Sequence, residues 1–163
     1  MKSLSDLKIF TIDSFEDFRG EIYTVYKKDQ FDLEFNHDKV TIRHKDCLVG
    51  IHGDNKTHKL ITCLYGKVFA VLVDNRKDSQ DYNKHKSFIL SGDNKKQILV
   101  PPGIGNSFLV LSDFCVYNYK LSYEGDYIDC DDQFTLKWNN PKYNIFWPID
   151  KPILSERDAR ASL

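Results

Sequence analysis

Residues 50–66, GIHGDNKTHKLITCLYG, bring two chemically active side chains close together in the chain. His52 follows directly on the short apolar run 48–51, and Lys59 opens a second extended run at 59–64. The GDNK between them is loop chemistry, with glycine and asparagine supplying turn conformations. An imidazole ending one strand and an ammonium starting the next point into one mouth. The first exchanges a proton near neutral pH, and the second can hold negative charge as it develops. The plain alternative is a hydrogen-bonded core histidine beside a solvated surface lysine. Only the surrounding pattern can decide between them.

That pattern is one of many short strands. Alternation or apolar runs predict strands at 8–12, 21–26, 40–44, 48–51, 59–64, 67–74, 87–90, 97–100, 107–111, 115–121 and 134–138. The run KVFAVLVD at 67–74 is of the type buried on both faces. FEDFRG at 15–20 reads as a charged turn, and 27–39 as an edge strand or loop. Ser112-Asp113 predicts a hairpin joining 107–111 to 115–121, and Ser155 is placed to cap a short final helix. Strands so spaced, divided by Gly, Pro and Asn turns, predict an all-β antiparallel sandwich or barrel. A jelly roll would carry His52 on an inner face at the barrel mouth.

Composition narrows the function classes. The 163 residues suit one domain, 1–163, with a sizeable core. A net charge of -1 argues against a nucleic-acid surface, so any anion site must be local. Cys47, Cys63, Cys115 and Cys130 form no CxxC pair, which removes the zinc-site spacing. The opening MKSLSDLKIFTID has no long apolar run, hence no signal peptide or membrane span is expected. A reducing cytoplasm, with free and mostly buried thiols, is the expected setting.

Several segments, in order, resemble the dTDP-4-dehydrorhamnose 3,5-epimerase family. They are DFRG at 17–20, GIH at 50–52, KLITCLYGKVFAVLVDNRKDS at 59–79 and QILVPPGIGNSFLVLS at 97–112. YK at 119–120, FTLKWNNP at 134–141, IFWPI at 145–149 and PILSERDA at 152–159 complete the set. No single segment is specific; the ordered set is. The resemblance implies a cupin-type jelly roll and proton chemistry on a nucleotide-linked 4-keto-6-deoxy sugar, with no cofactor and no metal. The C4 ketone acidifies the neighbouring C–H bonds, a base takes a proton from one face, and an acid returns one to the other.

Carried over by resemblance, His52 is the base, Asp158 its orienting carboxylate, Tyr119 the acid and Lys59 the enolate-stabilising cation. Arg19 is a phosphate clamp, and Asn106 and Lys120 touch the substrate. Lys59 would also lower the phenol pKa of Tyr119. The implied partners are a dTDP- or GDP-linked sugar, hexose or heptose, from surface-polysaccharide biosynthesis, and a second copy in a homodimer. Neither nucleic acid nor membrane is expected as a partner. Three departures stand out, one of them a shorter loop than usual between His52 and Lys59. Val49 occupies the position three before the histidine where the family usually has arginine, and Asn106 replaces the family's second histidine. These departures suggest a different nucleotide sugar, or inversion of one carbon only.

Three rival readings follow. A metal-dependent cupin needs clustered ligands, but no HxH surrounds His52, and Asn106 removes a usual ligand. A non-catalytic sugar-binding cupin would not need a matched base and acid. A nucleotide-sugar 3,4-ketoisomerase would move the carbonyl instead of inverting carbons.

Overall fold

The computed structural model describes residues 1–162 and consists mostly of antiparallel strands. The strands are β1 (Lys8–Thr11), β2 (Ser14–Asp17), β3 (Gly20–Tyr23), β4 (His37–His44), β5 (Leu48–Gly53) and β6 (His58–Tyr65). They continue with β7 (Lys67–Asp74), β8 (His85–Ser91), β9 (Lys96–Val100), β10 (Ile104–Val110), β11 (Phe114–Ser122) and β12 (Phe134–Leu136). One short helix, α1 (Glu156–Ala159), follows, with Ser155 as its N-cap. One sheet runs β1-β9-β6-β11-β4 and the other β12-β5-β10-β7-β8, while β2 and β3 pair as a separate hairpin. This is the expected jelly-roll sandwich with a short helix near its end.

The alternation of each strand decides what it buries. Val68, Ala70 and Leu72 of β7 face Ile61, Ile98 and Tyr117 of the opposite sheet across one apolar core. The other face of β7 is also covered. Val71 and Val73 join Ile51 and Tyr143 in a second cluster, with Leu136, Ile145 and Trp147 packed on it. That cover explains why KVFAVLVD is apolar at consecutive positions. Trp147 is fixed there by its indole N–H, which donates to the Trp138 carbonyl at 3.0 Å.

Two expectations are corrected. No hairpin joins β10 to β11: β10 pairs with β5 and β7, whereas β11 pairs with β4 and β6 in the opposite sheet. The Ser112-Asp113 turn is therefore a crossing between layers. FEDFRG is more than a turn, since Ser14–Asp17 pairs with Gly20–Tyr23. Residues 27–36 form a short 3-10 turn (Lys28–Gln30) and a loop that leads into the edge strand β4. Among the four cysteines, all free, Cys63 and Cys115 are buried, Cys47 is half-buried and Cys130 is exposed. No helix among the described residues is long and apolar enough to cross a membrane.

Candidate active site

The site begins on β5. His52 Nε2 lies 2.5 Å from Asp158 Oδ1. The other carboxylate oxygen accepts from the Gly50 backbone N–H at 3.1 Å and from the Ser155 hydroxyl at 2.8 Å. Asp158 is buried, and its solvent loss works to raise its pKa. The hydrogen bond and charge of His52, then Ser155 and the Gly50 N–H, outweigh this and hold the carboxyl below its ordinary value. An ionised carboxylate only accepts hydrogen bonds, so the proton of a neutral imidazole sits on Nε2, and Nδ1 is the nitrogen with the lone pair. The imidazole is thereby held through one nitrogen.

Local sequence explains how a residue so far along the chain arrives there. The bridge between Cys47 and Ile153 lays the segment before α1 beside β5, and the Ser155 cap starts the turn that presents Asp158. Gly50 leaves the space: a Cβ there would stand 2.1 Å from Asp158 Oδ1. The sequence reading quoted Gly50 within GIH but found no role for it.

On β10, Asn106 pairs with His52 and shares its inward face, as does Thr135 of β12 from the other side. The opposite sheet contributes one inner row of Tyr119, Ile61 and Lys39, and beside it a row holding Lys59 and Leu121. Two linkages join the layers. The Tyr117 ring stacks on Phe108 of β10 at 4.2 Å and meets Tyr119 at 5.0 Å. Arg157, next to Asp158, donates to the Thr135 hydroxyl at 2.8 Å, and its charge is felt at Lys59.

Lys59 is only 7% exposed and, among the described residues, forms no ion pair. Burial pushes its pKa down; Asp54 opposes this, and the like charges of Lys39 and Arg157 add to it. It is not the solvated surface lysine of the plain reading. Tyr119 is half-buried, and burial pushes its phenol well above the ordinary value. The cation opposing that rise is Arg43, so the expected lowering by Lys59 is corrected: desolvation wins.

Two further expected site residues are not brought here. Arg19 lies on the exposed β2–β3 hairpin, where its guanidinium pairs with Asp17 at 2.6 Å and sits over the Phe18 ring. Lys120 follows Tyr119 on β11 and so faces the other side of the sheet. There it pairs with Asp38 at 2.5 Å and lies over Tyr26. Of the other histidines, His37, His58 and His85 are half-buried and His44 is exposed. No group of three metal-ligating side chains occurs among the described residues.

A polar row, a fixed base and a buried cation between two sheets are what proton abstraction beside a ketone requires. The family profile described as dTDP-4-dehydrorhamnose 3,5-epimerase matches residues 1–163. The chain belongs to that family. It is therefore an enzyme of the isomerase class, an epimerase of nucleotide sugars. The epimerase of Salmonella typhimurium LT2 is 31% identical over 99% of this chain and 92% of its own. The Bacillus anthracis epimerase structure, with TDP and pyrophosphate bound, superposes with a TM-score of 0.91 at 30% identity, covering 100% of this chain and 97% of that one. The Legionella pneumophila enzyme in complex with dTDP-4-keto-L-rhamnose gives 0.89 at 30% identity, covering 98% and 88%.

Proposed function

We propose that this epimerase inverts carbons beside the C4 ketone of a nucleotide-linked 4-keto-6-deoxy sugar, with His52 as base and Tyr119 as acid. The observation that carries this reading is the His52–Asp158 pair, in which the carboxylate engages Nε2 and so directs a neutral imidazole to offer Nδ1. Nδ1 takes the proton from carbon, and the C–H electrons move into the ring as the C4 oxygen becomes an enolate. Lys59 faces that oxygen. Burial pushes its pKa down, and a developing enolate would favour its charged form by supplying a near counter-charge. The Tyr119 phenol, kept protonated by burial, returns a proton to carbon on the opposite face; solvent then reprotonates the phenolate and takes the proton from His52.

The carrier is dTDP or GDP. Since relatives are solved with dTDP-4-keto-L-rhamnose and with TDP, a dTDP-hexose is the first substrate to try and a GDP-linked hexose or heptose the second. Both C3 and C5 invert in the family reaction. Asn106, which cannot titrate, favours a variant confined to C3. The setting is cytoplasmic synthesis of surface-polysaccharide sugars. Arg19 reaches a nucleotide phosphate only in a homodimer, carried by the hairpin of a second copy. Phe15, Phe18 and Ile22 on that hairpin are 66%, 97% and 72% exposed, which suits burial against a partner.

The test is incubation in deuterated water with 4-keto sugars on both carriers. Wild type should place deuterium at the inverted carbons. His52→Ala should lower exchange by about 10²- to 10⁴-fold, while Tyr119→Phe should keep exchange but lose inversion. Migration of the ketone to C3 would instead establish a ketoisomerase, and binding without exchange a sugar-binding protein.

A further inference from the structure

We infer that Asp54 is a positioning residue for Lys59, a carboxylate on the facing sheet that keeps the buried ammonium charged without touching it and so leaves its N–H groups to the substrate. The inference rests on the reading of Lys59 as the cation that meets the enolate oxygen. Its basis is the way two loops close one end of the sandwich. The ladder that pairs Asn106 with His52 runs on toward that end, where the Gly103 N–H donates to the Asp54 carbonyl at 2.7 Å. One step further along that register sets Asp54 opposite Ile104. Lys59 is paired with Val100 on β9 and with Leu121 on β11. Ile104 and Val100 both belong to the core between the sheets. Alternation therefore turns Asp54 inward from the β5–β10 side and Lys59 inward from the β6–β9 side. Packed sheets lie about 10 Å apart, a gap that these two side chains approach from opposite walls. Both are buried, yet neither forms an ion pair among the described residues.

The loop, not the lysine, places this carboxylate. Asp54 Oδ1 accepts from the Lys56 N–H at 2.9 Å and from the Thr57 N–H at 2.6 Å, which folds the chain back just before β6 begins. An asparagine would accept the same two bonds, so the turn does not require a charge. What the charge adds is felt across the gap. The charged and titratable groups turned toward the same space are Lys39 from β4, Tyr119 from β11, His52 and Asp54 from the β5 side, and Arg157 from α1; β9 offers only Val100. Asp158 is already engaged by His52, Ser155 and Gly50. Burial, Lys39 and Arg157 all favour loss of the Lys59 proton, and Asp54 opposes them. A neutral amine could still donate a hydrogen bond to the enolate but would bring no charge to it. A carboxylate in contact would occupy the ammonium, so the separation is part of the arrangement.

The experiment follows the Lys59 ammonium through its titration by nitrogen NMR of isotopically labelled lysine, in wild type and Asp54→Asn, with Lys59→Met to assign the signal. Asparagine keeps both amide bonds, so Asp54→Asn should fold as wild type does; should it not, Asp54→Ser, whose hydroxyl accepts at the same place, gives the same readout. The midpoint should move to lower pH by about one unit. An unmoved midpoint overturns the inference, because a residue that only shapes the turn would give that result. The second readout is the pH profile of kcat/KM on a dTDP-linked 4-keto-6-deoxy sugar, or its GDP counterpart if wild type turns that over instead. The alkaline limb should move down by the same interval, a loss of about tenfold along it, with a smaller change near neutral pH. In the Lys59→Met background, Asp54→Asn should cost nothing further; an added loss means that Asp54 acts on another group and overturns the inference. A shifted midpoint with an unshifted limb shows that the reaction does not use the charge of Lys59, and then the enolate reading fails and the positioning role with it. If neither carrier supports exchange, the epimerase reading fails, while the midpoint still decides whether Asp54 sets the charge of Lys59.

Discussion

This molecule buries charge in two places and treats it in opposite ways. At the end of β7, Arg76 meets Asp74 through Nε at 2.9 Å and Nη2 at 2.7 Å, Asp6 through Nη1 at 2.7 Å, and the Ser3 carbonyl through Nη2 at 2.8 Å. Ser79 adds a bond to Asp74 at 2.7 Å. The hydrogen bond with Asp74 pushes the guanidinium pKa up, and Asp74 is held down by the same partners against its own burial. Between the sheets, by contrast, Lys59 forms no ion pair among the described residues, and burial pushes its pKa down against the more distant charge of Asp54. The first cluster ties the N-terminal turn to the sandwich and leaves nothing over. The second leaves a buried ammonium without an ion pair, which is the feature the proposed enolate stabilisation uses.

The contrast can be broken most forcefully at Arg76. Arg76→Met strands Asp74 and Asp6 and should cost about 3–5 kcal/mol of stability; denaturant unfolding measures it, and a loss under about 1 kcal/mol would mean the cluster is not a staple. Turnover by the protein that remains folded should be unchanged. The opposite sign is expected at Lys59. Lys59→Met removes a buried charge without a counter-ion, so the free protein should become more stable by about 1 kcal/mol, while turnover falls by an order of magnitude or more. Stability and turnover falling together would make Lys59 structural.

The smallest effect concerns pH. The folded-state pKa of Asp158 lies below its unfolded value, so its contribution to stability is whole above the ordinary carboxylate value of 3.8 and is lost as pH falls through the lower folded value. Asp158→Asn should flatten the acid limb of the stability profile below about pH 4. An unchanged acid limb would remove the carboxylate from that role.

How much of this was legible in the sequence depends on how far each feature reaches. KVFAVLVD is a local pattern, and β7 spans the residues it predicts; Ser155 caps α1 as its type suggests. The β10–β11 connection was misread because a turn between layers and a turn within one carry the same residues, and only pairing partners distinguish them. Lys120 was avoidable: strict alternation sets it on the face opposite Tyr119, while Tyr117, two residues before Tyr119, was visible on the same face. Gly50 was not legible, because the carboxylate it makes room for lies 108 residues away. Arg19 sits where the turn motif puts it, and its relation to the site lies outside a single chain.

The distance between His52 and Asp158, 106 residues along the chain, has a consequence for how activity is born. A ribosome that has delivered β1 through β11 has released the strands of the inter-sheet core, together with His52, Lys59 and Tyr119, but not Asp158, the carboxylate proposed to orient the base. The sandwich can close before the enzyme exists. Competence then arrives as a separate, late event, when Ile153 docks beside β5 and the single turn of α1 swings Asp158 under the imidazole. On the proposed assignment, a chain lacking that turn would lack the carboxylate that orients His52.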